Sequence, residues 1–287
     1  MPAESTIDSN QNASRISPWA RVAPTCQIDP TAEVGPGCVL EGDVRLARGV
    51  KLIGNVYLQG PVEIGPDTVV YPFACIGFPG QDFKFKPGME TLGVRIGSGC
   101  ILREHVTIHA ATKPEGPTTI GDRVFMMVGS HAGHDVTIGN DAILVNGASI
   151  GGHGVVGERA TLGGGVMVHQ FTRVGRFAFL SGGSAFSDDV PPYCTGWGRN
   201  TMIGLNLVGM RRSGVSRENV TLARRAYREA FRAGLPRKEA LGVLEQIGRE
   251  CPPVAEMARF VASGKRPLSK HLRSRSSSGE PPEEGAG

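Results

Sequence analysis

From Val22 onward the chain sets an aliphatic residue at every sixth position. Val22, Ile28, Val34, Leu40, Leu46, Leu52, Leu58, Ile64, Val70 and Ile76 keep one phase without a slip. The phase resumes at Ile96, Leu102 and Ile108 and restarts at Ile120. It then runs through Met126, Ala132, Ile138, Leu144, Ile150, Val156, Leu162 and Val168 to Phe186 and Val190. A second, mostly small residue follows four places later, as in Ser130, Val136, Ala142, Ala148, Gly154 and Ala160. Charges such as Arg45, Lys51 and Glu63 stand directly before an inward position, where they point outward. Period six is neither the helical 3.6 nor a plain strand alternation. It predicts an all-β solenoid, a parallel β-helix in which each short strand forms one face and the chain then turns a corner. Three faces make a coil of about eighteen residues, so residues about eighteen apart stack along the axis.

Two stretches break the phase. Residues 77–93, with GFPGQDFKFKPGMETLG at their heart, and residues 109–119 carry Gly, Pro and Thr punctuation and read as inserted loops. Pro191-Pro192 ends the solenoid, because proline cannot donate to a strand ladder. The expected organisation is a disordered arm over 1–16, a β-helix over 17–193, a C-terminal helical domain over 194–262 and a disordered tail over 263–287. Within the helical part, Ser216 caps a helix from Arg217 to about Arg232, Pro236 opens a second that runs to about Glu250, and a third covers Val254 to Ala262. Arg224, Arg225, Arg228, Arg232, Arg237 and Lys238 make these helices basic.

Composition agrees with a narrow coil. There are 41 glycines and aromatics make up 6%, which suits small interior residues and tight corners. A net charge of +4 is too weak to argue for nucleic acid. Cys26, Cys38 and Cys100 fall at small inward positions, and none of the six cysteines makes a CxxC pair, so they read as buried hydrophobes in a reducing compartment. No signal peptide or membrane span is visible, and the polar N-terminus points to the cytoplasm.

Candidate chemistry gathers between Met126 and Phe171. This run holds His131, His134, His153 and His169, and the eighteen-residue step predicts that they rise as a column along one edge. Asp135 follows His134. An imidazole near neutral pH accepts a proton from a hydroxyl, and a neighbouring carboxylate fixes its tautomer. No G-x-S-x-G nucleophile motif is present, so direct transfer with His134 as base is the simplest scheme. Three histidines from neighbouring coils are also a possible zinc set, as in a hydratase on the same solenoid.

The segments GQDFK (80–84), REHVTIH (103–109), SHAGHDVTIGN (130–140), GGHGVV (151–156), GGGVMVHQF (163–171), DVPPY (189–193) and GLNLVGMRRSGVS (204–216) resemble the UDP-N-acetylglucosamine acyltransferase family, over roughly residues 20–260. The resemblance implies a left-handed coil, a homotrimer with active sites between subunits, and no cofactor. The implied donor is a 3-hydroxyacyl group on acyl carrier protein, and the implied acceptor is the glucosamine 3-hydroxyl of UDP-N-acetylglucosamine, the first step of lipid A synthesis. His134 matches the family's general base, Asp135 its partner, and the Gly152 N–H its oxyanion donor. Asp82 and Lys84 match substrate contacts, and His131, His153, His169 and Gln170 match residues lining the cleft. Asn206 and Arg212 match residues near the nucleotide and acyl group, and Gly182 matches the position that sets acyl length. The chain departs from the family at Val208 and Ser213, where Glu and Arg are common. An acceptor with a 3-amino sugar is therefore an alternative. The sister enzyme that N-acylates glucosamine later in the pathway usually carries an added N-terminal domain, for which repeats beginning near Val22 leave no room.

Overall fold

The computed structural model describes residues 15–86 and 88–272, and they form the expected left-handed parallel β-helix with a small helical part at its C-terminal end. Face one collects strands such as Arg21–Val22, Val39–Glu41 and His131–Ala132. Face two collects Gln27–Ile28, Val44–Leu46 and Thr137–Ile138, and face three Glu33–Val34, Lys51–Leu52 and Ile143–Leu144. His131 pairs with Ser149 and Ser149 with Met167, all in parallel, so the step is eighteen residues.

The period-six residues fill the interior. Leu40, Leu58, Ile76, Ile108 and Ile150 line face one from within, and Leu52, Leu102, Met126 and Leu144 line face three. Each is buried, and a fully buried aliphatic side chain contributes about 1.5–3 kcal/mol. Corners close through left-handed backbone, which glycine adopts freely and other residues adopt at a cost. Asn55, Asp67, Asp135, Asp141, His153, Phe171 and Phe177 nevertheless sit there with φ between 48° and 62°.

The two insertions lie where the phase breaks. Cys75 pairs with Thr107, so the segment between Cys75–Phe78 and Val94–Ile96 lengthens that coil. Thr107 pairs with His131, and the segment between Thr107–His109 and Thr118–Ile120 lengthens the next. Both insertions replace the corner between faces one and two.

The termini depart from expectation. Arg15 and Ile16 already belong to the coil: Val34 N–H donates to Arg15 O and Ile16 bridges Val34. Residues 1–14 of the expected arm lie outside the described residues. After Pro191-Pro192 face three gains two more strands, Cys194–Trp197 in parallel and Thr201–Leu205 antiparallel, so the β-structure runs past residue 193. The helices are α1 Leu207–Arg212, α2 Arg217–Ala226, α3 Arg237–Gly248 and α4 Pro252–Ser263. α1 was not anticipated, and a π-helical turn over Tyr227–Arg232 continues α2. The expectation of a disordered tail from residue 263 is corrected over 264–272. Asp189 N–H donates to Pro267 O, Ser269 N–H donates to Asp189 O, and Lys270–His271 adds a strand beside Thr201–Leu205. Leu268 packs on the core and the Tyr227 hydroxyl is hydrogen-bonded to His271 Nδ1 at 2.8 Å. These are specific contacts that a polar, low-complexity composition does not reveal. Residues 273–287 lie outside the described residues.

Candidate active site

The site is built on the corner between faces one and two. Asp135 takes the left-handed corner position at φ 59°, and His134 stands just before it. The same position in the next coils is held by His153 (φ 58°) and Phe171 (φ 62°), with their rings stacked at 4.5 Å and 3°. His153 N–H donates to His134 O and Phe171 N–H to Gly152 O, which locks the three coils together.

The His134 and Asp135 side chains are only 12% and 8% exposed, and His134 Nδ1 lies 2.7 Å from Asp135 Oδ2. Thr112 N–H and Lys113 N–H donate to Asp135 Oδ1 at 3.0 and 3.1 Å, and the Thr112 hydroxyl donates to Oδ2 at 2.7 Å. Burial pushes the Asp135 carboxyl up, but the hydrogen bonds from His134 and Thr112 outweigh it and hold it below the usual range. With Nδ1 committed to Asp135, Nε2 is the free basic atom. It faces Gly152 so closely that a Cβ there would lie 2.5 Å away, so this position tolerates only glycine. No acceptor among the described residues takes the Gly152 N–H.

Further rings surround the dyad. His153 meets His134 edge-on at 5.1 Å, with Nε2 3.7 Å from Asp135 Oδ2. His131, on face one, is hydrogen-bonded through Nδ1 to the Thr107 hydroxyl at 2.7 Å and meets His109 edge-on. Burial, reinforced by the neighbouring His131 and His134, pushes His109 down to about 4. Burial likewise lowers His131 and His153, although Asp135 opposes it at His153. These three rings are therefore neutral at pH 7, and a neutral ring offers a hydrogen-bond donor and an acceptor rather than a charge. His134, Asp135 and His153 offer ligand atoms within 4.8 Å of one another, a spacing that could hold a metal ion.

The expected single column is corrected. The true step of eighteen stacks His134 over Gly152 and His153 over Phe171, whereas the histidines are nineteen and sixteen residues apart. They occupy adjacent registers; ring contact rather than backbone stacking brings His134 and His153 together, and the His131 ring meets His109. His169 is exposed, with Nδ1 donating to Gln170 O, and Gln170 is exposed beside it. In the first insertion Asp82 accepts from Lys84 N–H at 2.9 Å and lies near enough to His153 to favour its protonated form. Lys84 is exposed, and Gly80 packs on the His134 side chain so tightly that a Cβ would clash. A cleft of about 550 Å³ opens on Asp135 and His153 between Lys113, Glu115, Pro117 and Thr137. A second, of about 650 Å³, lies under the first insertion and meets it at Lys113.

Three of the sequence-derived residues stand elsewhere. Asn206 caps α1 by accepting from Gly209 N–H, and its Nδ2 donates to Phe177 O on the corner between faces two and three. Arg212 is exposed near the end of the same helix. Gly182 is exposed on the corner between faces three and one, where a Cβ would meet only Gly164. Within one chain these groups do not join the histidines. Conversely, His109, Thr112 and Lys113 belong to the site but were not singled out. Only the histidine offered a signal, because the insertion that carries the other two breaks the repeat register.

Comparison with known proteins agrees with the fold. A family model described as UDP N-acetylglucosamine O-acyltransferase, domain 2, matches residues 189–269. The acyl-[acyl-carrier-protein]–UDP-N-acetylglucosamine O-acyltransferase of Thermodesulfovibrio yellowstonii is 40% identical over 220 residues, 76% of this chain and 84% of that one. The enzyme of the same name from Aquifex aeolicus is 52% identical over 204 residues, 70% and 77% of the two chains. The crystal structure of UDP-N-acetylglucosamine O-acyltransferase from Moraxella catarrhalis, 32% identical, covers 89% of this chain and 100% of that one with a TM-score of 0.85. Similarity of this depth, over most of both chains and on the same solenoid, means that the chain belongs to the UDP-N-acetylglucosamine O-acyltransferase family.

Proposed function

We propose that this protein transfers a 3-hydroxyacyl group from acyl carrier protein to the glucosamine 3-hydroxyl of UDP-N-acetylglucosamine, the acylation that opens lipid A synthesis, with His134 as general base. The observation that carries this reading is the 2.7 Å bond from His134 Nδ1 to Asp135 Oδ2, which leaves Nε2 turned toward Gly152. Nε2 takes the hydroxyl proton as the oxygen attacks the thioester carbonyl. The Gly152 N–H, without an acceptor among the described residues, stabilises the oxyanion. Collapse expels the carrier's thiolate, which recovers the proton from His134. Asp82 and Lys84, with His131, His153, His169 and Gln170, are the proposed sugar and cleft contacts.

A homotrimer accounts for the residues that lie apart. Gly182 sits on one corner away from the histidines, Asn206 bonds Phe177 on the other, and Arg212 ends the helix that Asn206 caps; packing of chains about a threefold axis brings unlike corners together. Face three supports the same reading, since Val69, Ile101, Phe125 and Ile143 point outward on four successive coils, and Phe179 does so beyond Thr161. Gly182, with no side chain, leaves room for a long acyl chain. The acidic carrier finds exposed positive charge at Arg224, Arg225, Arg228 and Lys238. Arg237 does not belong to this patch, because its guanidinium donates to Val261 O and Arg266 O. No helix among the described residues is long and apolar enough to cross a membrane. Mass spectrometry of the product formed from UDP-N-acetylglucosamine and a panel of acyl carrier protein thioesters tests the reading. A 3-O-(3-hydroxyacyl) sugar nucleotide is expected, and no product, or acyl transfer only to a 3-amino sugar nucleotide, would overturn it.

A further inference from the structure

We propose that Thr112, on the insertion between Thr107–His109 and Thr118–Ile120, is a positioning residue that sets the Asp135 carboxylate and, through it, the His134 ring. This rests on the reading of His134 as the base. The coil itself offers the carboxylate almost nothing: it fixes only the Asp135 backbone, whose N–H donates to the Thr118 hydroxyl at 2.8 Å. Apart from His134 Nδ1, every hydrogen bond to the carboxylate among the described residues comes from two consecutive residues of the insertion. Thr112 gives its N–H at 3.0 Å to Oδ1 and its hydroxyl at 2.7 Å to Oδ2, and Lys113 gives its N–H at 3.1 Å to Oδ1. The Thr112 hydroxyl also lies 3.4 Å from His134 Nδ1, so it touches both members of the dyad.

A corner residue does not need such a cradle to fold. His153 and Phe171 hold the same corner position one and two coils on, with no insertion above them. What the cradle adds is orientation. Asp135 Oδ2 accepts from two side chains at once, the Thr112 hydroxyl and His134 Nδ1, with the Thr112 N–H shared between its two oxygens at 3.0 and 3.2 Å, and Oδ1 is further tied to the Lys113 N–H. The carboxylate cannot then swing toward His153 Nε2, 3.7 Å away, or out into the cleft. The His134 ring is held in the tautomer that carries its proton on Nδ1 and presents Nε2 to the hydroxyl.

The test compares Thr112→Val, Thr112→Ala and Thr112→Ser with His134→Ala in the assembled protein. Loss of a hydrogen bond to a charged group predicts that Thr112→Val and Thr112→Ala lower kcat about ten- to a hundredfold. KM for both substrates should stay within about twofold, because the group acts on the base and not on binding. Thr112→Ser, which keeps the hydroxyl, should restore most of kcat. Nitrogen-15 spectra of the histidine rings should show His134 protonated on Nδ1 in the parent and the serine variant, and a tautomer mixture in the valine and alanine variants. Near-parent kcat in Thr112→Ala while His134→Ala is crippled would overturn the inference and spare the base. A serine variant as slow as alanine would also overturn it, since the hydroxyl would then not be the acting group. Full activity in His134→Ala would instead remove the base, and this inference with it.

Discussion

Two corners of the same coils use one backbone geometry for opposite ends. Between faces two and three, Arg123, Asp141, Arg159 and Phe177 hold the left-handed position on successive coils, as Asp135, His153 and Phe171 do between faces one and two. The first column forms a ladder, with Arg123 bonded to Asp141 at 2.7 Å, Arg159 3.6 Å from Asp141, and Arg159 lying over the Phe177 ring. Arg123 and Arg159 are about half exposed, so these pairs exchange with water and contribute little. In the second column only Asp135 is covered: Thr112 and Lys113 of the second insertion bond its carboxylate, Gly80 of the first packs on the adjoining His134, and Asp135 is 8% exposed. A corner carboxylate bonded to a cation is a surface ornament in one place. The same group, desolvated and held by Thr112 and Lys113, is bonded to the His134 ring in the other. Chemistry here follows from what the insertions exclude and align, since the coil beneath is the same.

Matched substitutions break that comparison most sharply. Asp135→Asn should lower kcat by about 10²-fold or more, because an amide no longer fixes the His134 tautomer. Asp141→Asn, six residues on and at the equivalent position, should leave kcat unchanged and cost no more than about 1 kcal/mol, measured by steady-state kinetics and thermal melting. Equal kinetic effects would deny that the two corners differ. The outer faces give the next contrast. Ile143→Glu, on face three, should dissociate the assembly in light scattering and reduce activity, whereas Val155→Glu on face two should do neither. A smaller effect concerns the carrier: reversing charge at Arg224 and Arg228 should raise KM for acyl carrier protein several-fold at low salt, by about 1 kcal/mol, with KM for the sugar nucleotide little changed.

The smallest difference is in acid. His109 has a folded value near 4 against 6.5 for the free group, so the unfolded chain takes up its proton first as pH falls. Stability at the histidine corner is therefore intact above pH 6.5 and declines as pH drops toward 4, by at most about 1.4 kcal/mol per pH unit for each such ring. Asp141 is lowered from 3.8, chiefly by its bond to Arg123, so the ladder corner loses its contribution only below that pH. Amide hydrogen exchange at pH 5 should show faster opening around His134 and His153 than around Asp141 and Arg159. Uniform exchange would contradict this order.

Much of the fold was legible because one rule governs it. Val22 to Val190 kept a six-residue phase, and each inward residue of that phase is buried or packed against the core. The insertions were visible as breaks, and Ser216 was a readable cap, since it accepts from Asn219 N–H. The site was half legible. His134, Asp135 and Gly152 meet as the motif suggested, but a column drawn on approximate spacing misplaced His169, because a register error of two residues moves a side chain around the corner. Thr112 was hidden since an insertion has no phase to read. The fold of residues 264–272 was hidden since its stability lies in partners far along the chain, as in Arg266 Nε donating to Ser187 O. Asn206 carries a capping role that the resemblance did not suggest.

Single-turnover acyl transfer by His134→Ala, in an assembled and metal-depleted preparation, tests the central claim most directly. The parent protein should release the acylated sugar nucleotide, and the variant should do so slower by about 10²–10⁴-fold, with its assembly and thermal stability preserved. His134→Gln should be no faster, since an amide matches the size of the ring without its basicity. A rate near that of the parent in correctly assembled His134→Ala would contradict the assignment of the base, and with it the account of this corner as the reaction site.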